Sequence, residues 1–131
     1  MEPNIWGPGA WLFLHSITLN YPDNPTLEHK KIYSDFFNRL KDVLPCEICK
    51  KHYGKNIKDS PINFSLNSKE AITKWLVNIH NKVNLLNGKE LYNYNTFIDD
   101  YSNLYNENHL NKYFLFILLI IIVLLIIRIY Q

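Results

Sequence analysis

The chain has 131 residues, enough for one small domain and too few for two ordinary ones. Its two cysteines exclude a disulfide-rich secreted scaffold. With 14 basic and 12 acidic residues, a net charge of +2 and no block of one sign, nothing favours nucleic-acid binding.

The opening stretch, MEPNIWGPGAW, has no basic segment followed by an apolar one, so no signal peptide is expected. A first helix is predicted over residues 8–20, where Trp11, Leu12, His15 and Leu19 recur at spacings of three and four. The second covers 27–44, opened by Pro25-Thr26, with Ile32, Phe36, Phe37, Leu40, Val43 and Leu44 on one stripe. A third begins at or just after Pro45-Cys46. The fourth spans 68–86, opened by Asn67-x-x-Glu70 and closed by Asn87-Gly88, with Ile72, Trp75, Leu76, Ile79, Val83 and Leu86 facing inward. A short fifth helix is predicted over 95–106, followed by an Asn-rich join at 103–111. Strand-like alternation is absent from the sequence.

Residues 113–127 read YFLFILLIIIVLLII without interruption. From Tyr113 to Tyr130 a helix would span roughly 27 Å, adequate for a bilayer if Arg128 reaches the headgroups. A body of about 110 residues is too small to enclose such a segment. The expected class is therefore all-α: a four-helix bundle with a short fifth helix, plus a C-terminal transmembrane helix. The expected domains are a functional body at 1–108 and a membrane anchor at 112–130. With no N-terminal signal, the body is expected on the cytosolic side of a single-pass C-terminal anchor.

Both cysteines lie in Leu44-Pro-Cys-Glu-Ile-Cys49. At a helix start, unpaired N–H groups and the helix dipole favour a thiolate, which argues against two inert thiols. Cys49, His52 and Tyr53 share a helix face, as do Trp11 and His15, while His80, Asn81 and Asn84 cluster on the fourth helix. A zinc site using His52 and His80 lacks the paired-histidine spacing of zinc fingers. A thioredoxin-like motif would need a preceding strand. A membrane-anchored helical adaptor or a zinc-binding interaction module, either without redox turnover, stays open, as does a dithiol that passes electrons to a bound cofactor.

Taken together, Trp6-Gly7-x-x-Ala10-Trp11-x-x-x-His15, Tyr21-Pro22, Pro45-Cys46-x-x-Cys49, Trp75-Leu76 and His80-Asn81-x-Val83-Asn84-x-x-x-Gly88-Lys89 carry a resemblance. Over residues 4–103 the chain resembles the Erv/ALR family of FAD-linked sulfhydryl oxidases, in particular the short versions of large cytoplasmic DNA viruses. The resemblance implies FAD held at the mouth of a four-helix bundle, a homodimer, and disulfide formation with dioxygen as acceptor, giving hydrogen peroxide. It implies that Cys46 meets the incoming substrate thiolate and that Cys49 lies against the flavin. Trp6, Gly7, Trp11 and His15 would line the cofactor on one side. His52, Trp75, His80, Asn81, Val83 and Asn84 would line the other, with Lys89 available to the phosphates and Tyr101 to the adenine. The electron donors would be dithiol client proteins or a small thiol–disulfide carrier. Host cytoplasm and a virion membrane are the locations such a viral relative suggests. Many relatives carry a structural disulfide and a shuttle cysteine pair that this sequence lacks.

Overall fold

A computed structural model describes the backbone of residues 1–129, without the side chains of 107–112 and 129. The described residues form five α-helices and one short 3-10 turn, with no strand among them. The chain divides into two compact units, Met1–Tyr92 and Asn93–Gln131.

The first unit contains α1 (Pro3–Leu19), α2 (Leu27–Val43), α3 (Glu47–Asp59), the 3-10 turn Ile62–Ser65, and α4 (Lys69–Leu86). The first helix starts five residues earlier than the periodicity predicts. Pro3 stands in its first turn, where a missing N–H costs nothing and a fixed φ suits the helix. Pro8 lies inside the helix, but so near its start that few helical bonds precede it.

The Thr26 hydroxyl caps α2 by accepting the His29 N–H at 3.1 Å, while the Thr26 N–H donates to His29 Nδ1 at 3.2 Å. Phe37 is fully buried, with Tyr33, Phe36, Leu40 and Leu44 packed against the same core. Ile32 and Val43, expected on that stripe, are exposed. At about 100° per residue they lie some 90° or more around the helix from the line through Tyr33, Phe37 and Leu44.

Pro45 then sets the next boundary. A residue before proline is driven out of the α region, and Leu44 accordingly turns extended (φ −55°, ψ 137°), which ends α2. Cys46 is also extended (φ −144°, ψ 120°) and becomes the N-cap of α3. The cap of α4 is Ser68, one residue beyond the expected Asn67; its Oγ accepts the Ala71 N–H at 3.1 Å.

Helix α4 is the central element, packing against α1, α3 and the 3-10 turn, while α2 pairs with α3. Ile72, Leu76 and Ile79 are fully enclosed, each worth about 2 kcal/mol as removed apolar surface. Buried polar groups tie the elements together. The Tyr21 hydroxyl donates to Leu66 O and the Tyr53 hydroxyl to Phe37 O, both at 2.9 Å, and Trp75 Nε1 donates to Ser60 O at 2.8 Å.

The second unit holds α5, Tyr94–Ile129, a single helix of 36 residues. The short fifth helix ending at 106 and the join at 103–111 are therefore corrected. No glycine or proline follows Gly88, and asparagine alone does not stop a helix. The transmembrane helix is corrected as well. Among the described residues, no helix is long and apolar enough to cross a membrane. The run from Tyr113 to Ile127 would rise only about 23 Å, against roughly 30 Å of hydrocarbon. The Lys112 side chain and Tyr130, expected at its flanks, lie outside the described residues.

Candidate functional site

Two groups of expected residues gather in the first unit. One is the turn between α2 and α3. Cys46 and Cys49 form a disulfide there, with Cα atoms 5.1 Å apart. Cys46 Sγ also accepts the Cys49 N–H at 3.3 Å, so this sulfur caps the helix. Both sulfurs sit in the first turn of α3, where the dipole stabilises negative charge. Both cysteines are half-buried, within reach of solvent. The Met1 nitrogen lies 3.5 Å from Pro45 O, which brings the start of α1 beside this turn.

The other group lies between α1 and α4. Trp11 stacks on His80 with ring centroids 3.9 Å apart and planes 9° from parallel. His15 Nε2 and His80 Nδ1 are 3.0 Å apart, so one imidazole donates to the other. Burial lowers the His15 pKa to about 3, reinforced by His80. Burial likewise lowers His80 to about 4, with the Lys89 charge adding to the effect. Both rings are neutral at pH 7, so the tautomers decide which of the two nitrogens donates and which accepts.

Tyr92, which the sequence reading missed, adds a ring 5.5 Å from His80. Asn81 fixes it: the Asn81 amide donates to Tyr92 O at 2.9 Å and its carbonyl accepts the Tyr92 N–H at 2.8 Å. Gly88, at φ +64°, turns the chain after α4 so that the Lys89 N–H reaches Asn84 O at 2.9 Å. Asn84 is buried, Val83 half-buried and Lys89 exposed. Trp6 is half-buried, and its Nε1 is a buried donor with no partner among the described residues. A Cβ on Gly7 would meet nothing within 4 Å.

Two expected residues of this unit stand apart from these groups. His52 is exposed on α3. Trp75 belongs to the core, edge-on to Phe37 at 5.2 Å and 77°. Tyr101 lies on α5 in the second unit, its ring 4.5 Å from that of Phe97. A shallow cleft of about 630 Å³ lies between the C-terminal end of α3 and α4, lined by Asp59, Phe64, Lys74 and Asn78 among others. Of the expected site residues only Trp75 reaches it, so this cleft is not the site.

Comparison with known proteins gives this arrangement a context. The Erv1/Alr family model matches residues 8–102. A probable FAD-linked sulfhydryl oxidase of Acanthamoeba polyphaga mimivirus is 41% identical over 95 residues, covering 72% of this chain and 66% of that protein. The FAD-linked sulfhydryl oxidase ERV2 of Saccharomyces cerevisiae is 33% identical over 95 residues, covering 72% of this chain and 47% of its own length. The chain thus spans less than two thirds of either relative. The crystal structure of the yeast Erv1 core superposes with a TM-score of 0.67 at 29% identity, covering 71% of this chain and 77% of that one. The FAD binding domain of Erv1 from Saccharomyces cerevisiae gives the same TM-score at 30% identity, covering 71% of this chain and 87% of that one. Sequence match and fold point the same way, and the chain belongs to the Erv1/Alr family.

Proposed function

We propose that this chain is an FAD-dependent thiol oxidase that forms disulfides in dithiol client proteins or a small carrier protein, the activity residing in residues 1–108. The observation that carries the reading is the Cys46–Cys49 disulfide capping α3 within an Erv1/Alr fold. A substrate thiolate attacks Cys46 Sγ, the Cys46–Cys49 bond breaks, and its electron pair leaves on Cys49. A second substrate thiolate then attacks the mixed disulfide, releasing oxidised substrate and a Cys46 thiolate. The helix N-terminus stabilises the negative charge that passes from one sulfur to the other. Re-forming the Cys46–Cys49 bond releases two electrons; bound FAD would supply the two-electron acceptor chemistry, with dioxygen as final acceptor and hydrogen peroxide as product.

The residues fit a flat heteroaromatic cofactor. Trp11 and His80 present stacked planes, Trp6 Nε1 offers an unused buried donor, and Gly7 leaves space beside it. His15 and His80, held neutral, can hydrogen-bond without adding charge. Trp6, Trp11, His15, His80 and Asn84 would hold the ring systems, with Lys89 near the phosphates. Asn81 contributes by holding Tyr92, since its amide is already engaged at both ends. A homodimer is part of this reading, supported by the apolar Ile5, Leu12 and Phe13 left exposed on α1.

The test is direct. The purified chain should show flavin absorbance and consume oxygen when given dithiothreitol. A colourless, folded protein with no turnover after incubation with FAD would overturn the proposal.

A further inference from the structure

Helix α3 carries Lys51, Lys55 and Lys58 at positions i, i+4 and i+7, so all three share one stripe. All three are exposed, and none forms an ion pair among the described residues. Lys41 of α2 joins them. Its side chain lies 3.9 Å from where a Gly54 Cβ would stand, and Gly54 falls within the same stripe. The absence of a side chain at 54 lets the Lys41 stem lie across the helix. The acids of this surface are few. Glu47 is held by Lys50 at 2.7 Å with the Lys51 charge also acting on it, Asp42 beside Lys41 pairs with Arg39 at 3.8 Å, and Asp59 stands at the far end of the helix. A chain with a net charge of only +2 therefore gathers four lysines along one line.

That line starts at the disulfide. Lys51 is two residues beyond Cys49, and the stripe from Lys51 to Lys58 runs about 10 Å away from it. At the head of the stripe, beside the cysteines, Val43 and Ile48 are 70% and 66% exposed. Apolar anchors next to the reactive sulfur, with a predominantly positive strip leading off, make a surface of complementary halves.

Resting on the thiol-oxidase reading above, we propose that this surface docks an acidic thiol-bearing polypeptide: carboxylates on the lysine stripe, an apolar residue on Val43 and Ile48, and the thiol at Cys46. Charge of one sign near a reactive group raises the encounter rate with its partner and sets its orientation. A lipid or nucleic-acid phosphate would also bind lysines, but it has no use for a stripe that begins at a disulfide.

The test compares three substrates of the full-length, flavin-loaded protein by oxygen uptake: dithiothreitol, a dithiol peptide with glutamate-rich flanks, and the same peptide with lysine-rich flanks. The acidic peptide should show a KM about tenfold below the basic one at low salt, the gap closing as salt screens it. Lys51→Glu, Lys55→Glu and Lys58→Glu together should reverse the order while leaving dithiothreitol turnover and flavin content unchanged. Equal KM values for the two peptides, or a preference that survives charge reversal, would overturn the docking surface and leave the oxidase reading standing. Tight binding to phosphatidylserine vesicles that blocks peptide oxidation would also overturn it, assigning the stripe to a membrane surface. Absence of dithiothreitol turnover in the unmutated protein would instead bring down the oxidase reading, and this proposal with it.

Discussion

The disulfide turn and the histidine cluster belong to the same compact unit but meet opposite physical demands. The turn is half-exposed, bordered by lysines and exposed apolar side chains, and built on a proline boundary. The cluster is more deeply set, with His15 buried and Trp11 and His80 half-buried, and is held by stacking and a hydrogen bond between two neutral imidazoles. Thiol–disulfide exchange needs access for an incoming nucleophile and a stabilised leaving sulfur. Holding a flat cofactor needs exclusion of water and side chains that stay neutral. The difference teaches that each half can be damaged separately, and that prediction separates them.

The largest effect is expected at the turn. Cys46→Ser and Cys49→Ser should each cost at least about a hundredfold in dithiothreitol-driven oxygen uptake, since no other thiol can relay the exchange. Flavin content should stay unchanged in both. Near-normal turnover in either variant would falsify the assignment of the exchange to this pair.

Damage to the cluster should read out in the opposite way. His80→Ala combined with Asn84→Ala should release flavin and lower Tm by roughly 5 °C or more, because cofactor binding is linked to folding. The Cys46–Cys49 disulfide should remain reducible by dithiothreitol. Full flavin content and an unchanged melting curve would move the cofactor away from these residues.

Acid separates the two regions without mutation. His15 and His80 bind protons less readily when folded, with pKa values of about 3 and 4 against 6.5 unperturbed. The unfolded chain therefore takes up more protons below pH 6.5, and stability is lost as pH falls from there towards 3. Each histidine contributes at most about 1.4 kcal/mol per pH unit. Denaturant unfolding across this range should show the loss, and His80→Gln should flatten it. A flat profile in the unmutated protein would mean the imidazoles are accessible to protons when folded.

The smallest expected effect is at Gly88. Its φ of +64° is strained for any side chain, so Gly88→Ala should cost about 1 kcal/mol in urea unfolding. Because the turn there carries Lys89 and leads on to Tyr92, flavin affinity should weaken modestly while exchange at Cys46 is untouched. An equal loss at both sites would argue against their independence.

Much of this was legible in the sequence because the chain marks its own boundaries. Pro25-Thr26, Pro45 and Asn87-Gly88 fix three helix ends through local chemistry that no tertiary contact overrides. The start of α1 was hidden by Gly7, Pro8 and Gly9, which read as breakers but lie close enough to the N-terminus to be tolerated. The apolar run after Tyr113 suggested a span, yet the described segment is shorter than a bilayer core. In the site, the cysteines and the His80 group were legible from motif and spacing. The pairing of His15 with His80 was not, since the two lie 65 residues apart and only packing of α1 on α4 joins them. Tyr92 had no signal beyond its own side chain, being placed by Asn81. Trp75 illustrates the converse, a motif residue whose ring serves the core.

The hydrogen bond from Tyr53 to the Phe37 carbonyl has a bearing on timing. This phenol is buried, and burial raises its pKa, so it stays a donor throughout the neutral range. It fastens α2 to α3 one turn behind the cysteines and does not involve either sulfur. If the disulfide opens, this bond resists spreading of the two helices, which favours a high effective concentration of the sulfurs for each other. The turn then works as a sprung clasp with a fixed hinge, in which ring closure is quick and reversible. On the proposed oxidase reading, a slow monothiol client would be expelled by Cys49 before it could accumulate, leaving lasting oxidation to clients that bring two thiols together.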